Sequence, residues 1–91
     1  MTTVARVTGA ANGFAGNDGL GATQTATATC SSGKVVGGGG DVNGNNPRHF
    51  AGITSSYPSS ATTWTVIATI LAGTQVNGNP PSVTAYAVCV S

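Results

Sequence analysis

The chain has 91 residues, a formal net charge of +1 and charged side chains at 5% of positions, against about 25% in an average soluble domain. That balance excludes a field able to steer nucleic acid, and Arg6, Lys34 and Arg48 are dispersed rather than clustered. It also argues against disorder, because Val, Ile and Thr recur throughout while disordered chains are rich in charge and poor in β-branched residues.

Read in order, residues 3–8 form a short first strand. Residues 9–21 follow as a Gly/Ala/Asn-rich loop that contains Phe14 and Leu20 but shows no periodicity. Unstructured connections of about 12 residues are uncommon unless they bind something or are disordered. Residues 23–30 alternate as a second strand, Ser31, Ser32 and Gly33 turn the chain, and Lys34 opens a third strand that is expected to end in the glycines 37–40. Residues 41–47 read as a turn cluster, 48–57 as a fourth strand and 58–60 as another turn. Residues 63–71 carry the strongest strand pattern, with Trp64, Val66, Ala68 and Ile70 on one face and Thr63, Thr65, Ile67 and Thr69 on the other. A loop over 73–81 leads to a final strand through Cys89. Short strands separated by turn signals, with no helical window, predict an all-β fold: an antiparallel sandwich or barrel of about six to eight strands.

A 91-residue chain makes one domain and buries only about 60 to 65% of its extended surface. Its large apolar residues are few, and Leu20, Val35, Val36, Phe50, Ile53, Trp64, Val66, Ile70, Val83, Tyr86 and Val88 are the expected core. Counting by twos places Cys30 with Ala26 and Ala28, and Cys89 with Val83, Ala85 and Ala87, so both thiols point toward small apolar neighbours. A Cys30–Cys89 bridge would close a loop of about 60 residues and stabilise the fold by roughly 4 kcal/mol. The other reading is that both stay reduced and pack as small apolar groups. No stretch reaches the roughly 18 apolar residues of a membrane span, and residues 1–6 lack the apolar run of a secretory signal. A disulfide suits an oxidising exterior, so a chain starting at its own methionine without an export signal fits a virion component made in a bacterial cytoplasm and released by lysis. An excised domain of a secreted protein is the alternative.

The motifs that could carry chemistry are weak. Asp41 to Asn45 opens with oxygen ligands at alternate positions, as a calcium loop does, but Asn46 stands where glycine is required and Gly52 where glutamate is required. His49 is the sole histidine, no serine sits in a nucleophile-elbow context, and a zinc site lacks ligands. No enzyme, metal or cofactor is expected. Trp64 lies on the apolar face of its strand, so it reads as core, whereas Tyr57, just before Pro58, is the better candidate for stacking on a sugar.

The ordered set Ala28-Thr29-Cys30, Ser32-Gly33-Lys34-Val35-Val36-Gly37-Gly38-Gly39, Ser56-Tyr57-Pro58-Ser59, Trp64-Thr65-Val66 and Thr84-Ala85-Tyr86-Ala87-Val88-Cys89 resembles a small β-domain. That domain recurs in actinobacterial extracellular proteins and in phage fibre and virion proteins. The resemblance covers residues 23–91 and implies that Cys30 and Cys89 pair; residues 1–22 stand outside it as an N-terminal strand and arm. It implies a structural role without fixing one, since the domain has no uniform activity. The short length favours a bacteriophage capsid decoration protein on the virion surface. It would contact the major capsid protein through Val4, Arg6, Phe14 and Leu20 and assemble as a homo-oligomer, a trimer first, without nucleic acid or membrane. The alternative is a secreted, cell-surface or fibre-tip module that binds a receptor or glycan through Tyr57, Arg48 and His49.

Overall fold

The computed structural model describes residues 3–14, 20–44, 49–73 and 81–91, and over these the chain is all-β without a helix. Seven strands occur among the described residues: β1 (Val4–Thr8), β2 (Asn12–Gly13), β3 (Thr23–Thr29), β4 (Lys34–Asn43), β5 (His49–Pro58), β6 (Thr63–Gly73) and β7 (Ser82–Val90). They form two antiparallel sheets packed as a sandwich. In sheet A, β7 is central: β4 pairs along one edge, while β1 and β2 lie end to end along the other, Val4 to Thr8 opposite Val90 to Tyr86 and Asn12 opposite Val83. In sheet B, β6 is central between β3 and β5. Reciprocal bonds between Thr3 and Ser91, at 2.8 and 3.0 Å, extend the β1–β7 ladder to the C-terminus.

The alternation read from the sequence sets the faces. Ala26 and Ala28 on β3, Val66, Ala68 and Ile70 on β6, and Val83, Ala85 and Ala87 on β7 are buried between the sheets. Cys30 and Cys89 join that cluster and form a disulfide with Cα atoms 5.8 Å apart, tying the end of β3 in sheet B to β7 in sheet A. The outward face of sheet B is coated by hydroxyls: Thr23, Thr27 and Thr29 stand opposite Thr69, Thr65 and Thr63. The Thr29 and Thr63 hydroxyls are 3.1 Å apart, and those of Thr54 and Thr69 are 2.9 Å apart. Such pairs supply the polar surface that so few charges leave unprovided.

Three expectations are corrected. The large apolar residues make only part of the core: Val66, Ile70 and Val83 are buried, with Val35 and Trp64 packed against them, but Leu20, Val36, Phe50 and Ile53 are exposed, and Tyr86 and Val88 fall on the outward face of β7. Alanines fill many of the other inward positions: Ala26, Ala28, Ala51, Ala68, Ala85 and Ala87 are all buried. The third strand does not stop at the glycines; β4 runs through all four to Asn43, which also takes Asp41 to Asn43 out of the turn cluster and the calcium-loop reading. The segment after β1 is not unstructured where described: β2 pairs with β7, and Phe14 is buried and joins the core cluster.

The glycines of β4 have two different surroundings. A Cβ on Gly38 would lie 2.4 Å from Trp64 Cγ and Cδ2 and 2.5 Å from the Tyr86 carbonyl oxygen; one on Gly40 would lie 2.6 Å from Val66 Cγ1. Both residues face inward, where the missing side chain is what lets Trp64 and Val66 pack under β4. Trp64 lies partly buried against the core, as expected, and its indole N–H donates to Ser56 Oγ at 2.9 Å. Gly37 and Gly39 face outward and have nothing within 4 Å of a built Cβ. At the turn after β3, Gly33 adopts φ +79° against the Val90 carbonyl, a position closed to other residues.

Candidate functional site

Period-two alternation places Val4, Arg6 and Thr8 of β1, Val90, Val88, Tyr86 and Thr84 of β7, and Lys34, Gly37, Gly39 and Asp41 of β4 on the outward face of sheet A. Arg6, Lys34 and Asp41 are the charged side chains among the described residues, and all three stand here. The Arg6 guanidinium lies 4.9 Å from the centroid of the Tyr86 ring, a cation–π contact. The Tyr86 hydroxyl points at Asp41 Oδ2 across 3.4 Å, and Asn43 Nδ2 donates to the same oxygen at 3.2 Å. A guanidinium, a phenol and a carboxylate thus cross three strands on one diagonal. Val4 and Val36, 66% and 63% exposed, flank this row.

A second cluster occupies the opposite end. Gly21 donates to the Ile70 carbonyl at 3.0 Å, Leu71 follows Ile70, and Phe50 pairs with Ala72. This brings Leu20, Phe50 and Leu71 to neighbouring register positions, where they are 69%, 51% and 53% exposed. The methyl of Leu71 leans over Gly52, whose added Cβ would meet it at 2.7 Å. The disulfide, Thr3 and Ser91 belong to the other end of a molecule measuring 51 × 17 × 14 Å.

The anticipated contact residues therefore separate. Val4 and Arg6 lie on sheet A toward the disulfide end, Leu20 lies at the far end, and Phe14 is 4% exposed, inside the core and out of reach of a partner. Residues 3–14 are strands and core of the same sandwich, and Phe14 packs in one cluster with residues beyond position 22. For the alternative glycan surface, Tyr57 is exposed and pairs with Thr65, whereas the backbone of His49 pairs with Gly73. Eight residues of strand, about 26 Å, divide them. Arg48 lies outside the described residues, as do residues 15–19, 45–47 and 74–80. Among the described residues no group of three or more His, Cys, Asp or Glu comes together.

Tyr86 and Asp41 are the members of this face that sequence reasoning did not join to Arg6. The signal was present in outline, since Tyr86 falls out of phase with the inward Ala85, Ala87 and Cys89. Comparison with known proteins adds nothing to the assignment: no family model, curated protein or solved structure matches the chain.

Proposed function

We propose that the chain is a non-catalytic structural protein of a virion surface, a bacteriophage capsid decoration protein that seats on the major capsid protein. The observation that carries this reading is the exposed apolar end of Leu20, Phe50 and Leu71 on a weakly charged, disulfide-closed sandwich. Burying what each of these side chains now exposes contributes about 1 to 2 kcal/mol, and the cost of association takes back much of the sum. One such end binds weakly by itself. A surface that repeats the complementary site, as a capsid does, turns weak contacts into stable occupancy when copies are linked. The Tyr57 and His49 alternative is less well supported because those residues are far apart along β5.

The test is co-sedimentation of the purified chain with heads of the particle whose genome encodes it, followed by imaging of the heads. Wild type is expected to decorate the heads, and the paired change Leu20→Asp, Leu71→Asp to lower occupancy at least about tenfold, as loss of two apolar contacts requires. Undiminished occupancy by the variant removes the contact end, and binding to fibres or glycans in place of heads overturns the decoration reading.

A further inference from the structure

Gly39 has no reason inside the chain to be glycine. A strand glycine costs up to about 1 kcal/mol relative to alanine. Gly38 and Gly40 are required by Trp64 and Val66, and Gly37 lies at the register shift after Val35, but Gly39 has open space where a side chain would stand and no positive φ. A glycine inside a strand marks a bulge, a tight bend or close approach by another backbone or molecule, and the β4–β7 register runs without a shift from Gly37 to Asn43, which leaves close approach. Next to it on β7 is Tyr86, with Arg6 to one side along the diagonal and Asp41 to the other.

We propose that the outward face of sheet A is a self-association surface, on which a second copy of this chain packs about a two-fold axis. The charge arrangement selects a second copy as the occupant. Arg6 is on β1 opposite Val88 and Asp41 is on β4 opposite Thr84, so they lie on opposite sides of Tyr86. A two-fold axis in the plane of contact, passing by Tyr86 and perpendicular to that diagonal, sets each Arg6 against the Asp41 of the other copy. One symmetry operation therefore forms two ion pairs and leaves no like charges facing at those positions. Gly37 and Gly39 leave a strip bare of side chains on each copy, and the half-buried Val88 supplies apolar surface between the charges. The net charge of +1 offers little long-range repulsion between copies. This surface is independent of the Leu20 end, so the proposal stands or falls without the capsid.

Sedimentation equilibrium of the purified chain over a range of concentrations tests it. The expected species is twice the 8.8 kDa chain. Arg6→Asp and Asp41→Arg are each expected to weaken association at least about tenfold, and the double exchange to restore it to within about threefold, the pattern of a coupled charge pair. Gly39→Gln supplies a further arm: its Cβ enters open space in the single chain, and the side chain beyond it blocks the face. It is expected to abolish the dimer while the melting temperature of the monomer does not fall and its near-ultraviolet circular dichroism is kept. A monomer at all concentrations overturns the proposal, as does a trimeric mass. So does a dimer that tolerates Gly39→Gln, or single reversals that the double exchange fails to rescue.

Discussion

Replacing Gly38 and Gly39 one at a time by alanine separates a fold requirement from a surface requirement within two adjacent residues. Either change removes freedom from the unfolded chain, which stabilises by about 0.4 to 1 kcal/mol where the native backbone accepts a side chain. At Gly39 nothing opposes this gain, because a Cβ meets no atom within 4 Å. At Gly38 the new methyl comes to 2.4 Å from Trp64 Cγ and Cδ2 and 2.5 Å from the Tyr86 carbonyl oxygen. The carbonyl belongs to the β4–β7 ladder and cannot withdraw without breaking register, and moving the indole disturbs its bond to Ser56. Overpacking of this kind costs about 1 to 3 kcal/mol or more; at the upper end, where contacts of 2.4 and 2.5 Å place Gly38→Ala, about 2 kcal/mol of destabilisation remains after the chain-entropy gain is subtracted. In a domain of this size each kcal/mol moves the midpoint by about 4 to 8 °C. Thermal melts followed by circular dichroism, run with the disulfide intact and at concentrations below any self-association, are expected to show Gly38→Ala falling by roughly 5 to 20 °C and Gly39→Ala holding or rising slightly. Equal midpoints for the two variants would refute the assignment of inward and outward glycines, and with it the face on which Arg6, Tyr86 and Asp41 are placed.

Two further changes probe the staple and the N-terminal strands. Replacing both Cys30 and Cys89 by alanine releases a loop of 59 residues' separation and is expected to lower stability by about 4 kcal/mol in the chain-entropy model; a urea midpoint equal to that of the oxidised wild type would show that the bridge contributes nothing. Phe14→Ala empties a core position and is expected to cost about 3 to 5 kcal/mol, so deletion of residues 1–20 should yield a chain without a cooperative melt; a normal melt would make the N-terminal segment dispensable.

How much of this was legible beforehand depends on what each signal measures. Alternation found β3, β6 and β7, and because parity alone fixes a face, it placed both cysteines on the core side. Choosing the core by side-chain size failed at Leu20, Val36 and Phe50, because volume says nothing about parity or about where a strand ends. Tyr86 and Val88 could have been excluded from the core by the same count that put Ala85, Ala87 and Cys89 in it. β4 was cut short because glycine has poor intrinsic strand propensity. What overrides propensity there is tertiary: β7 supplies the hydrogen-bond ladder, and Trp64 and Val66 occupy the space of the absent side chains. β2 spans two residues, too few to show a period. The row on sheet A stayed hidden because Arg6, Asp41 and Tyr86 come from three strands, the last two 45 positions apart in the chain.

The alanine interior also constrains where function can reside. With Ala26, Ala68, Ala85, Ala87, Val66 and Val83 at 0% exposure, the sheets meet over short side chains, and the molecule is only 17 × 14 Å in cross-section over a length of 51 Å. Its radius of gyration of 14.4 Å exceeds the roughly 12 Å of a compact chain of this length. A narrow body of this form gains less apolar burial per residue than a rounder one, which is why a covalent link between the sheets matters. The same narrowness gives it large outer faces for its mass. Recognition on such a body falls to faces and ends, and these differ in chemistry: sheet B presents paired threonine hydroxyls, sheet A presents the charges and an open glycine strip, and the Leu20 end presents apolar side chains. The proposed pairing of copies on sheet A and seating of the Leu20 end on a different surface require that kind of division, since a single uniform coat could not tell the two neighbours apart.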